Sequence, residues 1–397
     1  VKYVVCLGDG MSDWPIPELG NQTPLQASHT PNMDQLVTLG RGGLAWTVPE
    51  GLYPGSDVAN MGILGYDPRA YYTGRGAIEA AAMGIQLSPN EVVFRCNLVT
   101  IQSDIMTSFT SGHISTEQGH EVIAYLNQHL NMDGVRFYAG VGYRHLVVVP
   151  DTWLVSATTP PHDLTDQSVV GQWPRGGNEA GMRSLIQRCR TVLADCDTNR
   201  QRGLAGELLV TDIWPWSPGR IPELPSFQSL YQLTGGIITA VDLLRGLAQL
   251  SGLAYPLVSG ATGFIGTNYK GKVQAALDLL RDHDFAFIHI EAPDECGHLG
   301  DSKLKCQAIE EFDQYVVGPM LNFAQSRGDV GILVLPDHPT PCAIKTHVRE
   351  AVPVAIMAPW VTPDAVTRYD EESCAKGVLY YETPWELMKE FLGGGRS

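Results

Sequence analysis

The chain is expected to be an α/β protein, with a mainly parallel sheet flanked by helices and interrupted by an inserted α+β domain. Three observations predict this. Short apolar runs (KYVVCLG, FAFIHIEAP, VGILVLPDH and VPVAIMAP) have the length and two-sided apolarity of strands buried in a parallel sheet. They are separated by segments of helical period such as GKVQAALDLLRDH. Between about residues 86 and 201 the pattern changes to the alternation of VVFRCNLVT and VRFYAGVGYRHLVVV, typical of half-exposed antiparallel strands. With 397 residues, a discontinuous core domain of 1–85 and 202–397 around an inserted domain of 86–201 is the division expected.

In chain order, Lys2 to Leu7 forms a buried strand that ends at Asp9, between two glycines. TPNMDQLVTLG predicts a helix capped by Thr30, with Pro31 in its first turn and Gly40 as its stop. YPGSDVANMGILGY opens as a turn and continues as a helix. Ser56 stands at the junction, either as an N-cap or as a residue held there to attack. GRGAIEAAAMG predicts an Ala-rich helix from near Arg75. EQGHEVIAYLNQHL and AGMRSLIQRCRTVLA supply helices to the insertion, TTPPHDL a loop, and GGIITAVDLLRGLAQL a helix of the second half.

Composition excludes several roles. Twenty-seven basic against 43 acidic residues give −16, with no basic stripe, so a nucleic-acid partner is not expected. No apolar run approaches the ~18 residues that span a bilayer, so no membrane partner is expected either. VKYVVCLGDG reads as a strand rather than a signal peptide. The eight cysteines contain no C-x-x-C pair and read as reduced thiols of a cytoplasmic protein.

The chemistry gathers at strand ends, where α/β sheets build their sites. HIEAPDECGH places Asp294 and His298 four residues apart, on one face of a helical turn. VLPDHPTP gives Asp337 beside His338, and KTHVREAVPVAI gives His347 just before a strand. With Asp9 these are three carboxylates and three imidazoles flanked by apolar runs, a donor set suited to Mn²⁺ or Zn²⁺, with Mg²⁺ also to be tested. Two ions suit a reaction in which both the attacking and the leaving oxygen need stabilising, phosphoryl transfer above all. Ser56 is then the nucleophile, activated by coordination, at a helix N-terminus that favours phosphate. On this reading Ser56 is cap and nucleophile together.

The series G-D-G at 8–10, P-G-S-D at 54–57, D-x-x-x-H at 294–298, D-H at 337–338 and His347 resembles the alkaline phosphatase superfamily. More closely it resembles the archaeal type of cofactor-independent (2,3-bisphosphoglycerate-independent) phosphoglycerate mutase. The likeness runs nearly the whole length, through YYTGRGAIEAAAMGI, GATGFIGTNYKGK and HIEAPDECGH. It implies an alkaline-phosphatase-like core, one ion held by Asp9, Ser56, Asp337 and His338, and a second by Asp294, His298 and His347. It also implies a phosphorylated Ser56, a cap closing over a small phosphorylated substrate, no need for 2,3-bisphosphoglycerate, and interconversion of 3- and 2-phosphoglycerate.

Substrate recognition should lie in the cap, where archaeal-type mutases carry a segment of the form D-R-R-A-G-R. Here the aligned residues are Ser108-Phe109-Thr110-Ser111-Gly112-His113, without an arginine. The remaining candidates are Arg75, His113, Arg144 and His145 of GYRHL, and His162 with Asp163 of PPHDL; Arg95 and Arg144, in strands, could equally serve ion pairs. PPHDL and SGHIST resemble a branch proposed to act as homoserine kinases. The alternative is therefore phosphotransfer to a small alcohol such as homoserine, and a third reading is a phosphomonoesterase or a metal-stabilised binding protein.

Overall fold

The computed structural model describes residues 1–396, which form two compact units: 1–72 with 223–396, and Thr73–Pro222. Twelve strands lie among the described residues: β1 Lys2–Gly8, β2 Arg41–Ala45, β3 Glu91–Gln102, β4 Ile105–Ser108, β5 Arg136–Tyr138, β6 Arg144–Pro150, β7 Asp212–Gly219, β8 Gly235–Ile238, β9 Phe285–Ile290, β10 Val330–Leu335, β11 Val352–Met357 and β12 Leu379–Tyr381. No helix among the described residues is long and apolar enough to cross a membrane.

The discontinuous unit is built on a seven-stranded sheet in the order β12-β2-β11-β10-β1-β9-β8. Alternate residues of its central strands (Val4 and Cys6, Ala286 and Ile288, Ile332 and Val334) enter one buried cluster beside helices Pro31–Thr38, Tyr269–Asp282 and Ser302–Phe312. The intervening residues are buried too, which is why these strands read as unbroken apolar runs. Register decides function here. Leu7 lies opposite both His289 and Leu335, so the parallel strands β1, β9 and β10 end level and bring the residues after them to one edge.

Two expectations for this unit are corrected. VPVAIMAP forms β11, which runs antiparallel to β10 and β2. A parallel neighbour needs a crossover, and the segment between β10 and β11 contains no helix to make one. GGIITAVDLLRGLAQL is not all helix: Gly235–Ile238 pairs with β9 as a strand, and the helix starts at Asp242. Burial of Ile237 and Ile238 beside β9 outweighs the local helical pattern.

The inserted unit has an antiparallel sheet in which β3 pairs with β4, β6 and β7, and β6 with β5. One face (Val92, Phe94, Cys96, Leu98) packs under helices Thr116–His129 and Glu179–Ala194. On the opposite face, Val93, Leu146 and Val148 are covered by helix Arg75–Ala82. That helix and β7 therefore belong to the insertion, whose limits are 73 and 222 rather than 86 and 201. The Ala-rich pattern specifies a helix but not which sheet receives it. Gly74 makes the entry, at φ +126, where a Cβ would run into the carbonyl of Pro218.

Candidate active site

Asp9 leaves β1 in a turn that only glycine can complete: Gly10 has φ +61, and a Cβ there would lie 2.7 Å from Asp294 Oδ1. Gly10 N donates to Asp337 Oδ1 at 3.1 Å, tying the β1 turn to that of β10. Ser56 is the first residue of helix Ser56–Ile63, after an extended Gly55 that occupies the N-cap position. Its side chain makes no capping bond, which removes the cap half of the expectation. Ser56 Oγ instead lies 3.0 Å from His338 Nε2 and 3.4 Å from Asp9 Oδ2. One turn on, Asn60 Nδ2 donates to Ser56 O and to Asp337 Oδ2, both at 2.9 Å, locking the helix to the strand end.

Two donor groups result. Asp9, Asp337 and His338 place a ligand atom each within 4.8 Å of one another, beside Ser56 Oγ; Asp294, His298 and His347 do the same. In the second group, Asp294 is 3.2 Å from His298 Nε2 and 3.3 Å from His347 Nε2, and the two imidazole nitrogens are 3.0 Å apart. The rings of His338 and His347 lie 3.9 Å apart, so the groups adjoin.

Hydrogen bonds behind the rings fix the available lone pairs. His298 Nδ1 bonds Lys345 O at 2.9 Å and must donate, which leaves Nε2 as the acceptor of the neutral ring. Thr340 Oγ1 donates to the Asp294 carboxylate and so accepts from His338 Nδ1, turning that Nε2 lone pair toward Ser56 as well. Burial pushes His289 down to about 3, so its neutral ring donates through Nε2 to Asp9 Oδ2 at 2.9 Å and contacts Thr239 through Nδ1. Asp9 Oδ1, also buried, is left without a hydrogen bond.

The electrostatics call for positive charge. Burial, then Asp337, Asp294 and Glu291, push the Asp9 carboxyl well up. Burial also opposes ionisation of Asp294, but hydrogen bonds from His298 and His347 hold it well below the usual range, and the Asp294 bond lifts His298 to about 9. Converging carboxylates, an orphaned Asp9 oxygen and imidazoles whose Nε2 atoms point inward, and would become acceptors on losing a proton to an incoming cation, fit a pair of divalent ions.

The cap candidates divide. Arg95, with a side chain 14% exposed, shares the Glu79 carboxylate with Arg75 and lies over the Trp216 ring at 4.0 Å. Arg144 stands opposite Asn97 in the β3–β6 pair, on the same sheet face as Arg95. His162 meets the Trp216 and Phe109 rings edge-on, with Asp163 3.6 Å away. His113 is exposed in the Ser108–His113 turn. The guanidinium buried behind that turn, Arg202, is occupied by the carbonyls of Ser111 and Leu208. His145 does not join Arg144. Strand alternation turns it to the opposite face, 3% exposed beside Gly119, with Nδ1 accepting Gly140 N–H at 3.0 Å. It is a packed core histidine, and its expected role in substrate binding is corrected.

Comparison with known proteins decides the family. The chain is 47% identical over 378 residues to a 2,3-bisphosphoglycerate-independent phosphoglycerate mutase of Methanothrix thermoacetophila, covering 95% of this chain and 96% of that one. The chain belongs to the 2,3-bisphosphoglycerate-independent phosphoglycerate mutase family. Residues 38–199 match the family model of that description, and the mutase of Methanosarcina acetivorans is 46% identical over 382 residues, 96% of each chain. The fold matches a Pyrococcus horikoshii protein (TM-score 0.82, 26% identity, 99% of this chain and 97% of that one). It also matches the cofactor-independent phosphoglycerate mutase of Thermoplasma acidophilum (TM-score 0.70, 26% identity, 99% of each).

Several residues of this mutase-family site escape sequence reasoning. Asn60 is four residues after Ser56, a helical spacing that could have flagged it, and His289 is the single polar residue of FAFIHI. Thr340 and Glu291 carry no such local signal.

Proposed function

We propose that the protein interconverts 3-phosphoglycerate and 2-phosphoglycerate by transferring the phosphate to Ser56 and back. The observation that carries this reading is Ser56 Oγ, 3.0 Å from His338 Nε2, at a helix N-terminus beside two adjoining Asp/His groups. Family membership supplies the substrate.

On this reading Asp9, Ser56, Asp337 and His338 hold one divalent ion, and Asp294, His298 and His347 the other, with Mn²⁺ or Zn²⁺ the best match to mixed oxygen and imidazole donors. Bound there, the ions lower the serine hydroxyl's pKa and balance charge on the transferred phosphoryl group. The chain's own groups do the rest. Asn60 and Gly10 orient the Asp337 carboxylate, His289 orients Asp9, and Thr340 sets the His338 tautomer. The helix N-terminus favours the incoming phosphate. Arg95 and Arg144, on one face of the inserted sheet, bind the substrate carboxylate in the proposal, with Arg75, which shares the Glu79 carboxylate with Arg95, beside them. His162 is a candidate proton carrier for the substrate hydroxyl, with Asp163 beside it. Eight free cysteines accord with a proposed cytoplasmic setting.

The test follows 3-phosphoglycerate by ³¹P NMR with metal-replete protein. Formation of 2-phosphoglycerate is expected, lost by at least about 10³-fold in Ser56→Ala. Arg95→Leu should raise KM more than it lowers kcat. No isomerisation with Mn²⁺, Zn²⁺ or Mg²⁺ refutes the mutase reading. A new phosphomonoester after adding ATP and homoserine would then establish the transferase alternative.

A further inference from the structure

Pro339 and Thr340, just past the Asp337–His338 pair, touch every segment that brings Asp or His to the site. Thr340 N donates to Ser12 O at 3.1 Å, joining the turn that follows Asp9. Its Oγ1 holds Asp294 and His338, one member of each donor group. Pro339 O accepts Val348 N at 3.1 Å, next to His347. The spacing of the two donor groups therefore depends on where these two residues lie.

A buried ammonium fixes that place. Lys305, on helix Ser302–Phe312, is 0% exposed. Its Nζ donates to Thr340 O at 2.9 Å, to Ser12 O at 3.1 Å and to Asp13 Oδ2 at 2.9 Å. An ammonium has three donors, and here each has its acceptor. Asp13 supplies the counter-charge and is itself held by Cys342 N at 3.0 Å and Trp14 N at 2.7 Å. Stability alone does not call for this ion pair, because apolar residues of similar volume often serve a fold as well or better. An apolar side chain cannot, however, tie together the carbonyls of two turns from distant parts of the chain. The ammonium does so, on the same two residues that Thr340 N–H already joins.

We infer that Lys305 is a positioning residue for the proposed metal centre. Through Thr340 and Ser12 it sets the spacing of the two donor groups, acting on the turns that carry the ligands rather than on an ion. This inference deepens the two-ion reading above and rests on it.

Calorimetric titration of the metal-stripped protein with Mn²⁺, beside its urea midpoint, separates this role from a merely structural one. Lys305→Met should weaken Mn²⁺ binding about 10- to 100-fold, as loss of a group behind metal ligands does. It should also lower the urea midpoint, because Asp13 is left buried without its cation. Lys305→Met/Asp13→Asn removes that charge while Asn still accepts from Cys342 N, so most of the midpoint should return. The Mn²⁺ affinity should not return, because the two carbonyls remain untied. Asp13→Asn alone keeps both carbonyl bonds and should bind Mn²⁺ as wild type does. Wild-type affinity in the double variant, or an equal loss in Asp13→Asn, overturns the inference. If Lys305→Met does not fold, the comparison of the double variant with Asp13→Asn decides by itself. Wild type that takes up no Mn²⁺ overturns the two-ion reading instead, so the two failures are distinguishable.

Discussion

Three imidazoles at the strand ends have one nitrogen engaged behind them: His298 by Lys345 O, His338 by Thr340 and His289 by Thr239, whereas Nδ1 of His347 is buried without a hydrogen bond. What the other nitrogen can do follows from that partner, and the partner comes from a distant part of the chain in His298 and His289. His145 shows the same logic without catalysis. Burial, with the neighbouring His120, pushes it down to about 4, against about 6.5 in an unfolded chain. Between those values the unfolded chain binds a proton that the folded one excludes. The contribution to stability is therefore intact above pH ~6.5 and is lost progressively as pH falls toward 4, by about 2 kcal/mol at pH 5. His145→Phe should show a smaller drop in urea midpoint between pH 7 and pH 5 than wild type, even though loss of the Gly140 bond costs about 1 kcal/mol at both. An unchanged drop would mean that His145 is not the residue responsible.

At the scale of elements, helix Pro31–Thr38 separates local from tertiary information. TPNMDQLVTLG marks its limits to within two residues, but Thr30, at the cap position, makes no capping bond. Asp313, 283 positions after Thr30, accepts from Asn32 N at 3.2 Å and Met33 N at 2.7 Å in its place. Asp313→Ala should cost about 1–2 kcal/mol in chemical denaturation, and Thr30→Ala less than about 0.5 kcal/mol; equal costs would contradict the assignment. The site shows the same division. Asp9, Ser56, Asp294, His298, Asp337, His338 and His347 could be picked out together, because each lies close to an apolar run or a helix start and His298 keeps helical spacing from Asp294, features carried by neighbouring residues. Glu291 and Thr340 were not, since their significance lies in which other strand end they face. β11 was recognisable as a strand but not by direction, because an apolar run of six residues suits either neighbour relation.

For the whole molecule, the insertion is a unit with its own core and with both ends tied together: Gly74 packs on Pro218, and Thr73 Oγ1 donates to Arg220 O. A fragment of 73–222 is therefore expected to fold alone and to show a cooperative thermal transition with near-ultraviolet dichroism from Trp214 and Trp216, whereas 86–201, lacking helix Arg75–Ala82 and β7, should not. Comparable dichroism from both fragments would count against the boundaries at 73 and 222. By itself the sequence determined the α/β class and pointed to an insertion, to seven residues that the structure brings together and to the phosphoryl transfer proposed for them, because periodicity, turn residues and donor type are local properties. Only the tertiary structure decided that β11 runs against its neighbours, that helix Arg75–Ala82 and β7 pack with the insertion, and that His145 lies on one face of the inserted sheet while Arg95 and Arg144 share the other. Sheet order and register are not local, since they depend on residues hundreds of positions apart, as in the pairing of β1 with β10.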